Sequence, residues 1–187
     1  MARLVVFTDA SVLYGAIVRD LLLQLGADKM LDLKWTEAVH LEWMQALVRA
    51  RPELADRVER TRSLMIATLP DAMVRGYEHR IDGLDLPDPD DRHVLAAALE
   101  CGAQMILTFN LRHFPEESLA PAVSAIHPDG LLPVLAAADP DRILASIRKV
   151  RHRMAAPSMT PAQFLDALLR AHLPLTAKAL GPLQDRM

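Results

Sequence analysis

The run RLVVFT at residues 3–8 is apolar and β-branched after its opening Arg, the pattern of a short strand buried on both faces. Asp9 follows at once, and Ala10 to Leu25 reads as a helix that Gly26 closes. A strand feeding straight into a helix opens an α/β unit. Thr36–Ala50 reads as a second helix with Val39, Trp43 and Leu47 at four-residue spacing, and Pro52 begins a third that runs to about Thr68. The connector Leu84–Asp91 is rich in turn residues. His93–Cys101 follows as an Ala/Leu helix closed by Gly102, then Gln104–Thr108 as a second buried strand, and Val123–Ile126 fits a third.

Beyond His127-Pro128 the pattern turns helical throughout. It is interrupted at Pro140, where Asp139 can cap and the proline can occupy a first turn. Ala155–Met159 reads as a joint, Thr160-Pro161 opens a helix to about Ala171, and a short one starts at Pro174. The expected organisation is an α/β body over residues 1–136 and a helical C-terminal extension over residues 137–187. The set Phe164, Leu165, Leu168 and Leu169 lies on one helix face, expected to pack on the chain's own body, with a protein partner as the second reading.

Composition narrows the class. A chain of 187 residues holds one core of roughly 100–150 residues plus an appendage. Hydrophobic residues at 51% against 24% charged exclude a disordered chain. Seven Gly and 4% aromatics speak against a β-sandwich or barrel. The single cysteine, Cys101, cannot form an internal disulfide and fits a reducing cytoplasm. The N-terminal run is read as a strand, since it has neither a signal-peptide h-region nor the length of a membrane span.

The net charge of −3 is unevenly spread. Residues 139–187 hold 8 of the 21 Lys/Arg and 4 of the 24 Asp/Glu, leaving the body at −7 and the tail at +4. An acidic body argues against nucleic-acid binding by general attraction, so such chemistry would need metal ions or local arginines. The basic run Arg148–Arg153 reads either as a solvated helix face or as a track for RNA phosphates.

The chemistry lies in acidic residues at the ends of elements. Asp9 stands where the first strand stops, at the carboxyl edge where open α/β sheets place their ligands, although an N-cap role is an equal alternative. Asp88, Asp90 and Asp91 crowd the start of the Ala-rich helix. Capping and the helix dipole account for one or two of them, and a hard divalent cation is the simplest answer to the remaining repulsion. Glu42, on the second helix, reads alone as a surface residue. Asn110 follows the strand QMILT at another carboxyl edge. If these strands are parallel neighbours, Asp9, Asp91 and Asn110 converge and Glu42 reaches them, forming a Mg²⁺ or Mn²⁺ site. Zinc is less favoured, because one Cys and scattered His residues show no zinc-ligand spacing.

The segments FTDASVLY, WTEAVHLEWMQAL, LPDPDDRHVLAAALECGAQMILTFNLRHFP and IHPDGLL occur in an order and spacing that resemble a PIN domain, closest to the VapC-like toxin branch. The resemblance covers about residues 3–136. It implies a PIN-like three-layer α/β fold with a short parallel sheet flanked by helices. It makes Asp9, Glu42 and Asp91 the metal carboxylates and Asn110 the polar residue of the last cluster, with Ser11, Asp88, Asp90, Thr108, Arg112 and His113 in support. The expected activity is endoribonuclease cleavage leaving a 5′-phosphate and a 3′-hydroxyl. The implied setting is a type II toxin–antitoxin pair, with an antitoxin partner and a homodimer. The helical tail is similar to extensions that some members of this branch carry.

One departure stands out. The family often has Asp where this chain has His113, so a fourth carboxylate is missing and a second metal site would be weakened or lost. This keeps a catalytically degenerate module that binds RNA or protein as the alternative. An Asp-based phosphotransferase is disfavoured, because Ala10 and Ser11 follow Asp9 in place of a DxD motif. Arg92, Arg112 and Lys34 are candidates for contacts to the RNA backbone, each more simply read as surface charge.

Overall fold

The computed structural model describes residues 3–154 and 157–187. Its centre is a parallel sheet of β1 (Val5–Thr8), β2 (Asp32–Lys34), β3 (Met105–Leu107) and β4 (Ser124–Ile126) in the order β2-β1-β3-β4. Register pairs Val5 with Asp32 on one side of β1, and Thr8 with Leu107 on the other. Val6, Phe7, Ile106 and Leu107 are all fully buried, so both faces of the central strands are covered, as parallel sheets require. The chain leaves β1 for β2 on one side and later returns to β3 on the other. The carboxyl ends of β1 and β3 therefore form a topological switch point, where the backbone leaves a crevice. The fold is α/β and PIN-like, with further helices at the C-terminus.

The expected first helix is two, α1 (Ala10–Tyr14) and α2 (Ala16–Ala27), broken at Gly15, whose backbone is extended. Buried Arg19 accounts for the break, since its Nη1 donates to the Leu13 carbonyl at 2.6 Å and stacks its guanidinium over Trp43. Gly26 does not close α2. The left-handed residue beyond the helix is Lys29, at φ 59°, whereas a Cβ on Gly26 would meet Leu69 at 2.8 Å. Close packing is what Gly26 provides. Strand β2 has only three residues, too few for a period to show.

Helices α3 (Glu37–Ala50), α4 (Ala55–Thr68) and α5 (Arg92–Glu100) fall where the pattern predicts them. Thr36 caps α3 by accepting from Val39 N, and Gly102 ends α5 at φ +65°. The C-terminal part comprises α6 (Pro128–Ala138), α7 (Pro140–Met154), α8 (Pro161–Arg170) and α9 (Pro174–Leu180). Asp139 caps α7 through Arg142 N, and Thr160 and Gln163 form a capping box on α8. The expected boundary at residue 136 falls inside α6, and the expected joint at Ala155–Met159 lies partly outside the described residues.

The C-terminal helices pack on the body. Asp28, at the end of α2, accepts from Ser146 Oγ at 2.6 Å and Lys149 Nζ at 2.5 Å, while its carbonyl takes Arg142. Buried Asp129 accepts from Leu175 N, Thr176 N and Thr176 Oγ1, capping α9 from the first turn of α6. Arg148, Lys149, His152 and Arg153 of the basic run are exposed, as a solvated helix face would have them, while Arg151 is buried. Arg148 binds the Arg186 carbonyl, Arg151 the Met159 and Met187 carbonyls, and Arg153 the Gln24 side chain. Phe164 and Leu168 are fully buried, while Leu169 is half exposed.

Candidate active site

Asp9 continues β1 by donating its N–H to the Leu107 carbonyl at 3.0 Å, which fixes its Cα at the switch point. Its side chain makes no capping bond to α1. Instead Oδ2 accepts from Ser11 Oγ at 2.5 Å and Thr108 Oγ1 at 2.7 Å. Each hydroxyl is itself oriented by a backbone N–H. Phe109 N donates to Ser11 Oγ and Asn110 N donates to Thr108 Oγ1, so the hydroxyl protons are directed at Asp9. Two hydroxyls that can donate or accept are thereby set as donors. The carboxylate is 4% exposed, and both bonds fall on one oxygen, leaving Oδ1 without a hydrogen bond from the described residues.

Asp91 ends the 3-10 turn Pro89–Asp91 and makes no side-chain cap to α5. The capping role belongs to Asp88, whose Oδ1 accepts from Asp90 N at 3.0 Å. Asp91 Oδ2 lies 2.6 Å from His113 Nδ1, and Asp88 Oδ2 lies 3.9 Å from the same nitrogen. One ligand atom from each of Asp88, Asp91 and His113 falls within 4.8 Å of the others. Burial, followed by the charges of Asp9 and Asp88, raises the Asp91 carboxyl above its ordinary range against the pull of His113. A carboxylate pushed up by its like neighbours is one that a cation would relieve.

Glu42 projects from α3, half exposed, and is held by His93 through an Nε2–Oε1 contact of 2.7 Å. Burial works against the charged form of His93, but the Glu42 hydrogen bond and the charges of Glu42, Asp9 and Asp91 prevail, so its pKa is raised. Its Nδ1 is buried without a partner. His93 thus couples Glu42 to the aspartates. Sequence reasoning passed it over, and its only signal was its place two residues after Asp91 in the first turn of α5.

The remaining expected residues divide. Asp90 and Asn110 are exposed on the rim, with Asn110 preceding the 3-10 turn Leu111–His113. Arg112 is exposed and donates from Nε to His113 Nε2 at 3.2 Å. Arg92 is half-buried beside the site, its Nε without a partner. Lys34 binds Asp32 and the Asp71 carbonyl. Among the described residues, no Lys or Arg forms an ion pair with Asp9, Glu42, Asp88 or Asp91, although the other acidic surfaces are laced with such pairs. A set of carboxylates with imidazole beside it and no fixed cation has the donor chemistry of a divalent-metal site.

Fold and site together define a PIN-like α/β protein with an acidic crevice at the carboxyl edge of its sheet. Residues 128–182 match the family model of the VapC50 C-terminal domain. A curated protein of Mycobacterium tuberculosis named "Putative ribonuclease VapC50" is 40% identical over 79 residues, 42% of this chain and 47% of the relative. The chain spans about half the length of that relative. Over these segments the chain is similar to VapC50, and its C-terminal helices to the C-terminal domain of that protein. No solved structure matches it significantly.

Proposed function

We propose that this protein is a metal-dependent endoribonuclease and the toxin of a type II toxin–antitoxin pair. The observation that carries the reading is the convergence of Asp9, Asp91 and Asp88 near the β1/β3 switch point, with no Lys or Arg ion-paired to them among the described residues. Asp9, Glu42 and Asp91 would hold Mg²⁺ or Mn²⁺, which when bound lowers the pKa of a water and stabilises the phosphate oxygens during in-line attack. Ser11 and Thr108 keep the Asp9 carboxylate in one orientation, sparing it reorganisation as charge develops. His93 restrains Glu42, whose free side chain would otherwise sample solvent. Arg92, Arg112 and Asn110 border the crevice and contact the RNA. The relative's printed name supports RNA as substrate.

An antitoxin that covers the crevice is the partner, and a homodimer in the cytoplasm is the working form. The unit that cuts and the extension divide near residue 137, within α6. Incubation of antitoxin-free protein with a mixed small-RNA pool tests the reading, in Mg²⁺, in Mn²⁺ and in chelator. Cleavage should require metal and disappear in Asp9→Asn and Asp91→Asn. Folded protein that cuts with neither ion would replace this reading with that of a binding module.

A further inference from the structure

Arg19 carries a buried charge with no counter-ion. The side chain is 7% exposed, and no carboxylate among the described residues forms an ion pair with it. Asp20 acts on it only through its charge, and burial pushes the Asp20 carboxyl up, toward its neutral form. Arg19 also lies in the first turn of α2, where the helix dipole disfavours a cation, and that turn holds no acidic residue. Its Nη1 is used on the Leu13 and Tyr14 carbonyls. The edge formed by Nε and Nη2 has no partner among the described residues, and Nε is fully buried. A buried guanidinium with its forked edge empty is costly unless an anion completes it.

The Arg19 side chain lines a cavity of about 430 Å³ at the start of α2, within the size range of small-ligand sites. Gly15 and Ala16 border it where α2, a 12-residue helix, begins without a side-chain cap, and open N–H groups at a helix start favour an anion. Arg51 and Arg57 supply the other charges, and no carboxylate lines the cavity. Arg57 forms no ion pair among the described residues. Arg51 has only an exposed contact with Glu53 at 3.4 Å, a weak tie in water. Leu47, Leu54 and Val58 make an apolar wall, and Tyr14 stands beside it 40% exposed. Both α1 and α3 lead here from the crevice. Tyr14 lies about 8 Å beyond Asp9 along α1, and Arg51 about 14 Å beyond Glu42 along α3, at a rise of about 1.5 Å per residue.

We propose that this cavity is a second RNA subsite, which takes a backbone phosphate of the strand whose scissile bond lies at the crevice. The inference rests on the ribonuclease reading above and adds the course of the strand beyond the cut. The phosphate oxygens accept from the Nε–Nη2 edge of Arg19 and from the open start of α2, Arg51 and Arg57 neutralise the charge from outside, and the adjoining base lies against Tyr14. An acidic body can hold RNA in this way because the attraction is local, set one to a few helical turns from the carboxylates.

The test titrates a fluorescein-labelled, single-stranded RNA of mixed sequence with the full chain in chelator, where binding is read by anisotropy at several salt concentrations. Arg57→Gln should weaken binding at least threefold and lower the slope of log affinity against log salt by about 0.7, the share of one phosphate on a single strand. Arg60→Gln loses the same charge from an exposed position on α4 outside the cavity and should change affinity less than twofold. Because substitution of buried Arg19 can unfold the chain, Arg19 is read in the native protein. Its Nε–H signal in nitrogen-15 spectra, assigned through its proximity to the Trp43 ring, should shift with the RNA and with adenosine 5′-phosphate, and stay in place with adenosine. Equal affinities for Arg57→Gln and Arg60→Gln, an Arg19 signal unmoved by RNA, or no RNA binding in chelator would overturn the proposal. Metal-dependent cleavage that persists alongside any of these leaves the ribonuclease reading standing. Binding through Arg57 and Arg19 without cleavage in either metal would remove the ribonuclease and keep the RNA subsite.

Discussion

Acidification from pH 7 to pH 5 should destabilise this protein through one buried imidazole. His40 is fully buried on α3 between the chain's two tryptophans, with ring centroids 5.6 Å from Trp35 and 6.2 Å from Trp43. Its Nδ1 accepts the Trp43 indole N–H at 3.1 Å, and Nε2 has no partner. Protonation would place a second donor against the indole N–H and a charge in an apolar pocket. Burial, opposed by Glu37 and Glu59 and aided by Arg62, lowers the His40 pKa from 6.5 to about 4. A lowered folded value means that the unfolded chain takes the proton first. Stability is therefore full above pH 6.5 and drains away as pH falls toward 4. The loss between pH 7 and 5 is about 2 kcal/mol for a fully shielded ring, and about 1–2 kcal/mol once solvent screening is allowed for. Urea unfolding at both pH values, followed by tryptophan fluorescence, measures it directly. His40→Gln keeps an acceptor for Trp43 but cannot titrate, so its stability should fall by about 1–2 kcal/mol less over the same interval. Equal losses in the two proteins would refute the reasoning.

Other outcomes follow from the same contacts. Thr108→Val removes one of the two hydroxyls on Asp9 and the acceptor of Asn110 N, and should reduce RNA cleavage about 10–100-fold while lowering stability by about 1–2 kcal/mol, as measured by initial rates beside thermal melts. Asp91→Asn should abolish cleavage and also lower Mn²⁺ affinity, read by calorimetry without RNA. Asp28→Ala cuts the bonds to Ser146 and Lys149 and should cost about 1–2 kcal/mol in urea unfolding, with increased amide exchange in α7. Asp129→Ala uncaps α9 and should cost about 1–2 kcal/mol, with exchange concentrated at residues 174–177.

Strands β1 and β3 and the helices α3, α5 and α8 were legible because apolar runs, proline starts and glycine stops agree locally. Strand β2 was not, since Asp32–Lys34 gains its identity only by pairing with β1. Gly26 misled for a related reason, as Leu69 lies 43 positions away in the chain. In the site, a strand end pointed to Asp9, and the crowding of aspartates at the start of α5 pointed to Asp91. The hydroxyl relay through Ser11 and Thr108, the His93–Glu42 pair and the His113–Asp91 pair depend on contacts across elements, which no local pattern carries. The intramolecular partners of the basic run were hidden for the same cause. Its arginines find carbonyls at Met159, Arg186 and Met187, and nothing in RKVRHR indicates that these will be present.

The Asp28 junction also dictates an order of assembly. Its partners at residues 142–149 lie 114 to 121 positions downstream, whereas the crevice is complete once β4 has formed at residues 124–126. At synthesis rates of about 5–20 residues per second, α7 leaves the ribosome about 1–5 seconds after the strands that frame the aspartates. During that interval the end of α2 lacks its partners from α7. The residues that frame the crevice are therefore synthesised seconds before the helix that braces the end of α2.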